Sequence, residues 1–117
     1  MEKIEIIKRG GKEIFYVDYS GDQMLQTISR AAALIEKQPS HSVLILSDFS
    51  GVEKWDGQGV SRIKDFANHN KPYVRAVALV GITGLKRVIL QAVKRFTRRD
   101  FVIFDSKEKA LDWLMTQ

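Results

Sequence analysis

A chain of 117 residues is long enough for one domain with a hydrophobic core and too short for two. The absence of cysteine excludes disulfides, thiol catalysis and zinc–thiolate sites. No run approaches the ~20 apolar residues that span a bilayer, and the start, Met1-Glu2-Lys3-Ile4, has no apolar signal region, so we expect a cytoplasmic protein without a transmembrane segment.

The first elements in chain order form a predicted hairpin and helix. Ile4 and Ile6 alternate with neighbouring residues in a first strand, Gly10-Gly11 is a hairpin signal, and residues 14–18 form the second strand. Ser20 with Gln23 is a candidate capping box. A helix should follow because apolar residues recur at helical spacing: Met24, Leu25, Ile28, Ala31, Ala32 and Ile35.

A buried strand and a second helix occupy the middle of the chain. Residues 43–46 are uninterruptedly apolar, which is typical of a strand covered on both faces. The loop Asp48-Phe49-Ser50-Gly51 follows. A second helix, ending near residues 68–70, is predicted from the spacing of Val60, Ile63, Phe66 and Ala67.

Residues 75–105 read as one βαβ unit. Apolar residues 76–80 are followed by the loop Gly81-Ile82-Thr83-Gly84, an amphipathic helix over 85–96 and a strand over 101–104. Asp105 with Glu108 is a candidate capping box for a last helix, whose inward positions are Ala110, Leu111 and Leu114.

The element order β-β-α-β-α-β-α-β-α predicts a single α/β domain over residues 1–117. The first two strands pair as an antiparallel hairpin, and the later strands run parallel because a crossover helix separates each pair. We expect a five-stranded mixed sheet in the order 1-2-3-4-5, with four helices mainly on one face.

Binding sites of open α/β sheets form at the carboxyl ends of the strands. The polar residues predicted there are Asp18, Ser20, Asp48, Ser50, Thr83 and Asp105. Three aspartates suggest a magnesium or phospho-acceptor site, but capping explains each residue singly and no metal-ligand spacing is present. The expectation is no cofactor and no metal.

The loop Gly81-Ile82-Thr83-Gly84 admits two interpretations. Its backbone N–H groups, with Lys86 and Arg87 just beyond, could hold an anion at a helix start. The same two glycines serve turn geometry and close packing. The loop is neither a P-loop nor a dinucleotide fingerprint.

No catalytic constellation is present in the sequence. His41 and His69 lie without metal or nucleophile partners at recognisable spacing and are predicted to be surface residues. Trp55, in the polar segment Glu53-Lys54-Trp55-Asp56, is either an exposed partner anchor or a lid on the core. We therefore expect a protein that is not an enzyme.

The positive charge is concentrated. Residues 84–99 contain six bases and no acid, whereas the whole chain has a net charge of +5. This stretch is either a solvated helix face or a surface for phosphates, anionic lipid headgroups or an acidic protein. Nucleic-acid binding is disfavoured because the sequence has no recognised nucleic-acid reader motif.

Three segments carry a resemblance to a known family: residues 43–52, residues 77–87 with their Gly-x-x-Gly-Leu-Lys pattern, and the ending Phe104-Asp105…Ala110…Trp113-Leu114. Over nearly its whole length the chain resembles the STAS domains of the anti-sigma-factor antagonist type, specifically the SpoIIAA-like subgroup, also described as STAS/CRAL-TRIO-like. The resemblance implies a bacterial, non-enzymatic domain that binds a protein or a regulatory ligand.

The chain departs from that family at the phosphoserine switch. In the family's antagonists an Asp-Ser-Ser-Gly-like segment leads into a helix, and a serine there is phosphorylated. The matching stretch here looks like Asp56-Gly57-Gln58-Gly59, which has no hydroxyl at that position.

The leading hypothesis is protein–protein interaction without this switch, and the alternative is binding of a lipid, an anionic membrane surface or an amphipathic ligand. A homodimer remains open. The predicted binding residues are Asp48, Ser50, Trp55, Asp56, Gly81, Thr83, Gly84, Lys86 and Arg87.

Overall fold

Five strands form one mixed sheet in the predicted sequential order β1-β2-β3-β4-β5. The computed structural model describes residues 3–21, 23–52, 57–82, 84, 87–88, 91 and 101–117. β1 is antiparallel to β2, and all later neighbours are parallel, which confirms the predicted fold. The strands are β1 (Ile4–Arg9), β2 (Lys12–Asp18), β3 (Val43–Asp48), β4 (Val74–Val80) and β5 (Val102–Phe104).

Three helices have described bounds: α1 (Met24–Ile35), α2 (Gly57–Asn70) and α3 (Lys107–Met115). The predicted helix over 85–96 lies largely outside the described residues, although Arg87, Val88 and Gln91 within it are helical. None of the helices in the described ranges has the length and hydropathy to cross a lipid bilayer.

Helices cover both faces of the sheet. On one face, Ile35 of α1 and Phe66 of α2 share a buried cluster with Ile45 of β3. On the other face, Leu114 of α3 belongs to a second cluster with Leu46. The expectation of helices mainly on one face therefore holds for α1 and α2 and is wrong for α3. Burial on both faces explains why the central strands are continuously apolar.

The strand register aligns the polar ends of the strands. Asp18 pairs with Asp48 across β2 and β3, and Asp48 pairs with Val80 across β3 and β4. The loops that follow these three strands therefore lie side by side. We call the strand ends Asp18 and Asp48, the described parts of these loops (residues 19–21, 49–52, 81–82 and 84) and the adjacent Arg87 the carboxyl edge.

Both predicted capping boxes are wrong in detail. The N-cap of α1 is Gln23, without a side-chain cap hydrogen bond, and Ser20 belongs instead to the turn after β2, where its N–H donates to Asp18. The N-cap of α3 is Ser106 rather than Asp105. The extended backbone of Ser106 lets its Oγ accept a hydrogen bond from the Lys109 N–H at 3.2 Å.

Replacing this cap should weaken the domain measurably. We expect Ser106→Ala to lower the free energy of unfolding by about 1 kcal/mol, because the Lys109 N–H loses its acceptor. Ser106→Asp keeps an acceptor and should retain most of the stability. Urea denaturation monitored by circular dichroism compares the variants, and equal losses in both would contradict the capping role.

Candidate functional site

The same four-residue turn occurs twice at the carboxyl edge. Asp18-Tyr19-Ser20-Gly21 follows β2 and Asp48-Phe49-Ser50-Gly51 follows β3, so both have the pattern Asp–aromatic–Ser–Gly. In each turn the aspartate Oδ1 accepts a hydrogen bond at 2.9 Å from the serine N–H two residues later. This is the Asx-turn geometry that short acidic side chains favour.

The aromatic residues anchor the two turns to the core. The rings of Tyr19 and Phe49 stack with centroids 4.4 Å apart and planes 3° apart, and Phe66 of α2 meets Tyr19 edge-on. Both stacked side chains are only 2% exposed. The backbone continues the arrangement, since the Tyr19 N–H donates to the Asp48 carbonyl and the Phe49 N–H to the Val80 carbonyl, each at 3.0 Å.

Close backbone packing interlocks the three loops. A Cβ atom on Gly51 would lie 2.5 Å from the Ser20 Cβ, so the first and second loops touch at that glycine. Gly81 has a φ of +78°, and a Cβ there would overlap the backbone N and Cα of Ser50. Glycine is therefore required at residue 81 both for its conformation and for space.

Asp48 is the best-connected carboxylate at this edge. The Tyr16 hydroxyl donates to its Oδ2 at 2.5 Å, and the Ser50 N–H donates to its Oδ1. The ammonium of Lys107 lies 4.2 Å from the centroid of the Tyr16 ring. Tyr16 and Ser50 thus bind this side chain directly, and Lys107 lies against the tyrosine that binds it.

These contacts determine the charges of the pair. Burial alone would raise the pKa of Asp48, but hydrogen bonds from Tyr16 and Ser50, with the nearby Lys107 charge, lower it below its ordinary value of 3.8. The pKa of Tyr16 is raised by burial and by its hydrogen bond to Asp48. At neutral pH Asp48 is ionised and Tyr16 is protonated. A low carboxyl pKa favours a positioning role for Asp48 over proton transfer.

Lys3, which precedes β1, contacts two residues of the turn that follows β2. Its Nζ donates to the Ser20 Oγ at 2.9 Å and lies 3.6 Å from the Asp18 Oδ2. Each of the two turns therefore has an associated cation, Lys3 near Asp18 and Lys107 above the tyrosine that binds Asp48.

Of the nine predicted site residues, five lie in the described ranges and four lie outside them. Ser50 contacts both Asp48 and Gly81, and Gly84 is joined to Arg87 by a hydrogen bond from the Arg87 N–H to the Gly84 carbonyl at 3.1 Å. The predictions on four residues lie outside the described ranges: Trp55, Asp56, Thr83 and Lys86.

The aspartates of the magnesium hypothesis are engaged in other contacts. Asp18 and Asp48 bind their own turns, and Asp105 lies 3.1 Å from the Lys109 ammonium. Among the residues that the structure describes, no group of three histidines and acidic residues has metal-binding geometry.

Sequence reasoning missed Tyr16, Lys3 and Lys107. Nothing in their local sequence indicates a role, because each reaches the carboxyl edge through tertiary structure. The two turns could have been recognised from the sequence, however, because the pattern Asp–aromatic–Ser–Gly occurs in it twice.

A sequential mixed sheet, covered by helices on both faces and ending in interlocked loops, defines a small α/β domain of the STAS class. Within that class the chain belongs to the SpoIIAA-like family, whose model matches residues 14–115. Domains of this family are generally non-enzymatic binding and regulatory modules. No curated protein matches the chain.

Proposed function

We propose that this domain is a non-enzymatic, cytoplasmic regulatory module that binds a protein partner through its carboxyl edge. The observation that supports the proposal best is the interlocking of the loops, which presents exposed Ser50, Gly51 and Gly84 above buried Tyr19 and Phe49. Because the loops are already held in place, binding a partner would cost little conformational entropy.

Charge indicates the kind of partner. Arg87 is exposed beside the loop that begins at Gly81, and six bases without an acid occur over residues 84–99. Positive charge of this kind attracts and orients an acidic partner. The proposed contact residues at this edge are Asp48, Ser50, Trp55, Asp56, Gly81, Thr83, Gly84, Lys86 and Arg87.

Regulation of this binding would differ from the family's phosphoserine switch. The helix α2 begins at Gly57, and residues 57–59 are Gly-Gln-Gly, so no hydroxyl is available there for phosphorylation. The proposed module therefore binds its partner without that modification.

The proposal is tested by a pull-down from lysate of the source organism, with quantitative mass spectrometry of the captured proteins. Arg87→Glu reverses an exposed charge at the carboxyl edge. Lys37→Glu makes the same change at an exposed position just after α1, near the opposite edge, and serves as the matched control. We expect a protein that is captured by the wild type and by Lys37→Glu and is depleted with Arg87→Glu.

A lysate in which no protein depends on Arg87 would contradict the proposal. Circular dichroism checks that both variants are folded. Because Arg87 and Lys37 are exposed, neither change should alter the fold.

The alternative proposal is binding to an anionic membrane surface, and one described feature favours it. Val88, adjacent to Arg87, is 66% exposed, and exposed apolar residues beside bases are typical of interfacial helices. Flotation with anionic and neutral vesicles at low and high salt separates the two functions. Salt-sensitive flotation with anionic vesicles alone would favour the membrane, and no flotation would exclude it.

A further inference from the structure

A cavity of about 630 Å³ opens at the end of the sheet opposite the carboxyl edge. It lies where β2, β3 and β4 begin, and its walls include Lys12, His41, Ser42 and Arg75. We call it the amino-edge cavity. Its volume is within the range of small-molecule sites, roughly 300–1,000 Å³.

Arg75 reaches this cavity from an irregular position in β4. Val43 pairs with Val74 and Leu44 pairs with Ala76, so Arg75 is skipped by the register between β3 and β4. In a regular strand, residues two apart face the same side of the sheet. Here Ala76 belongs to the cluster beneath α3, but Val74, two residues earlier, belongs with Val77 to the cluster beneath α1 and α2. A bulge of this kind redirects a side chain and is common beside binding sites.

A second backbone irregularity lies at the same cavity. His41 has a φ of +54° and is the non-glycine residue with positive φ in the described part of the chain. Its N–H donates to the Pro72 carbonyl at 3.2 Å, and the Ser42 N–H donates to the Tyr73 carbonyl at 3.0 Å. Such conformations persist where the surrounding structure holds them, and they cluster at functional sites.

The charges lining the cavity are predominantly positive. Lys12 and Arg75 are the basic side chains of Lys and Arg type among the lining residues, and Glu13 is the acidic one. The Lys12 Nζ donates to the Gln117 carbonyl at 2.9 Å. Within the described ranges, the guanidinium of Arg75 has neither an ion-pair partner nor a hydrogen bond, so its five donors are available.

The remaining walls combine apolar and polar groups. Pro39 provides exposed apolar surface, Gln38 and Ser42 provide polar atoms, and Phe15, Val43 and Leu44 border the cavity as buried residues of the core. Small-molecule sites commonly combine apolar walls with a few fixed polar groups. A guanidinium binds carboxylates and phosphates through two parallel hydrogen bonds.

We propose that the amino-edge cavity is a binding site for a small organic anion, a carboxylate or a phosphate ester with a compact apolar body. Arg75 binds the anionic group, Lys12 adds a second positive charge, and Pro39 contacts the apolar part. This site is separate from the carboxyl edge and does not depend on the protein-binding function proposed above.

The test is a titration of the full chain followed by ¹H–¹⁵N NMR at constant ionic strength. Three probes share an aromatic ring and differ in the polar group: benzoate, phenyl phosphate and the neutral benzyl alcohol. We expect saturable shifts of the Lys12, Ser42 and Arg75 amides with at least one anion and much weaker binding of benzyl alcohol. A preference between the two anions identifies the carboxylate or the phosphate as the bound group.

Variants assign the binding to the cavity. Arg75→Gln should raise the dissociation constant about tenfold, since a charge-assisted pair is lost. Arg62→Gln removes an exposed arginine of α2 that does not line the cavity and should leave binding unchanged. Lys12→Gln provides a second variant if Arg75→Gln disturbs the β4 bulge, and it too should weaken binding.

Three results would overturn the proposal. They are the absence of saturable shifts at the cavity with both anions, equal binding of benzyl alcohol, and unchanged affinity in the cavity variants.

Discussion

Gly81→Ala should lower the free energy of unfolding by about 3 kcal/mol, from left-handed backbone strain and overpacking together. The backbone at Gly81 has a φ of +78°, and a methyl group there would overlap the Ser50 backbone. Because backbone atoms cannot rotate away as a side chain can, the loops after β3 and β4 would have to separate. Urea denaturation gives the loss in stability.

Gly11→Ala is the matched control for this prediction. Gly11 has a φ of +77°, nearly the same as Gly81, but a Cβ there would meet no atom within 4 Å. This variant should lose only about 1 kcal/mol, the conformational part of the penalty. Equal losses at Gly11 and Gly81 would show that the loops are not interlocked by close packing.

Asp48→Ala should cost about 3 kcal/mol at neutral pH, because hydrogen bonds to a charged group contribute roughly 1.5–3 kcal/mol each. The change leaves the Tyr16 hydroxyl and the Ser50 N–H without their acceptor. Asp105→Ala is the control, since the Asp105 side chain is 75% exposed and pairs only with Lys109 among the described residues. An exposed pair of this kind contributes less than about 1 kcal/mol.

The cost of Asp48→Ala should depend on pH in a defined direction. The pKa of Asp48 is lower in the folded protein than its ordinary value of 3.8, so folding favours the ionised form. This stabilisation is fully present above the unfolded pKa and is lost as the pH falls through the folded pKa. The stability gap between wild type and Asp48→Ala should narrow in acid, and a gap independent of pH would contradict the role of the charged carboxylate.

Hydrophobic periodicity was sufficient to predict the sheet. The continuous apolar run at residues 43–46 indicated a central strand, and Gly10-Gly11 indicated the hairpin that makes β1 antiparallel. Parallel strands bring their carboxyl ends together, so the proximity of Asp48, Ser50 and Gly81 followed from topology. These features depend on local patterns that the sequence displays directly.

The remaining features depend on geometry that no local pattern records. Asp105 and Ser106 are both good capping residues, and the backbone at the end of β5 decides in favour of Ser106. The bulge at Arg75 could not be predicted from the sequence, because β4 has apolar residues on both faces. A change in which residues face which side therefore leaves no mark on the pattern of apolar and polar residues. The hydrogen bond from Tyr16 to Asp48 requires the register between β2 and β3 as well as the turn.

The position of α3 has a consequence for biosynthesis. Its residues Ala110, Leu111 and Leu114 cover the sheet face that contains Ile14 and Leu46. All five strands therefore leave the ribosome before the helix that shields this face. Until α3 docks, this face of the sheet exposes an apolar surface of the kind that chaperones recognise.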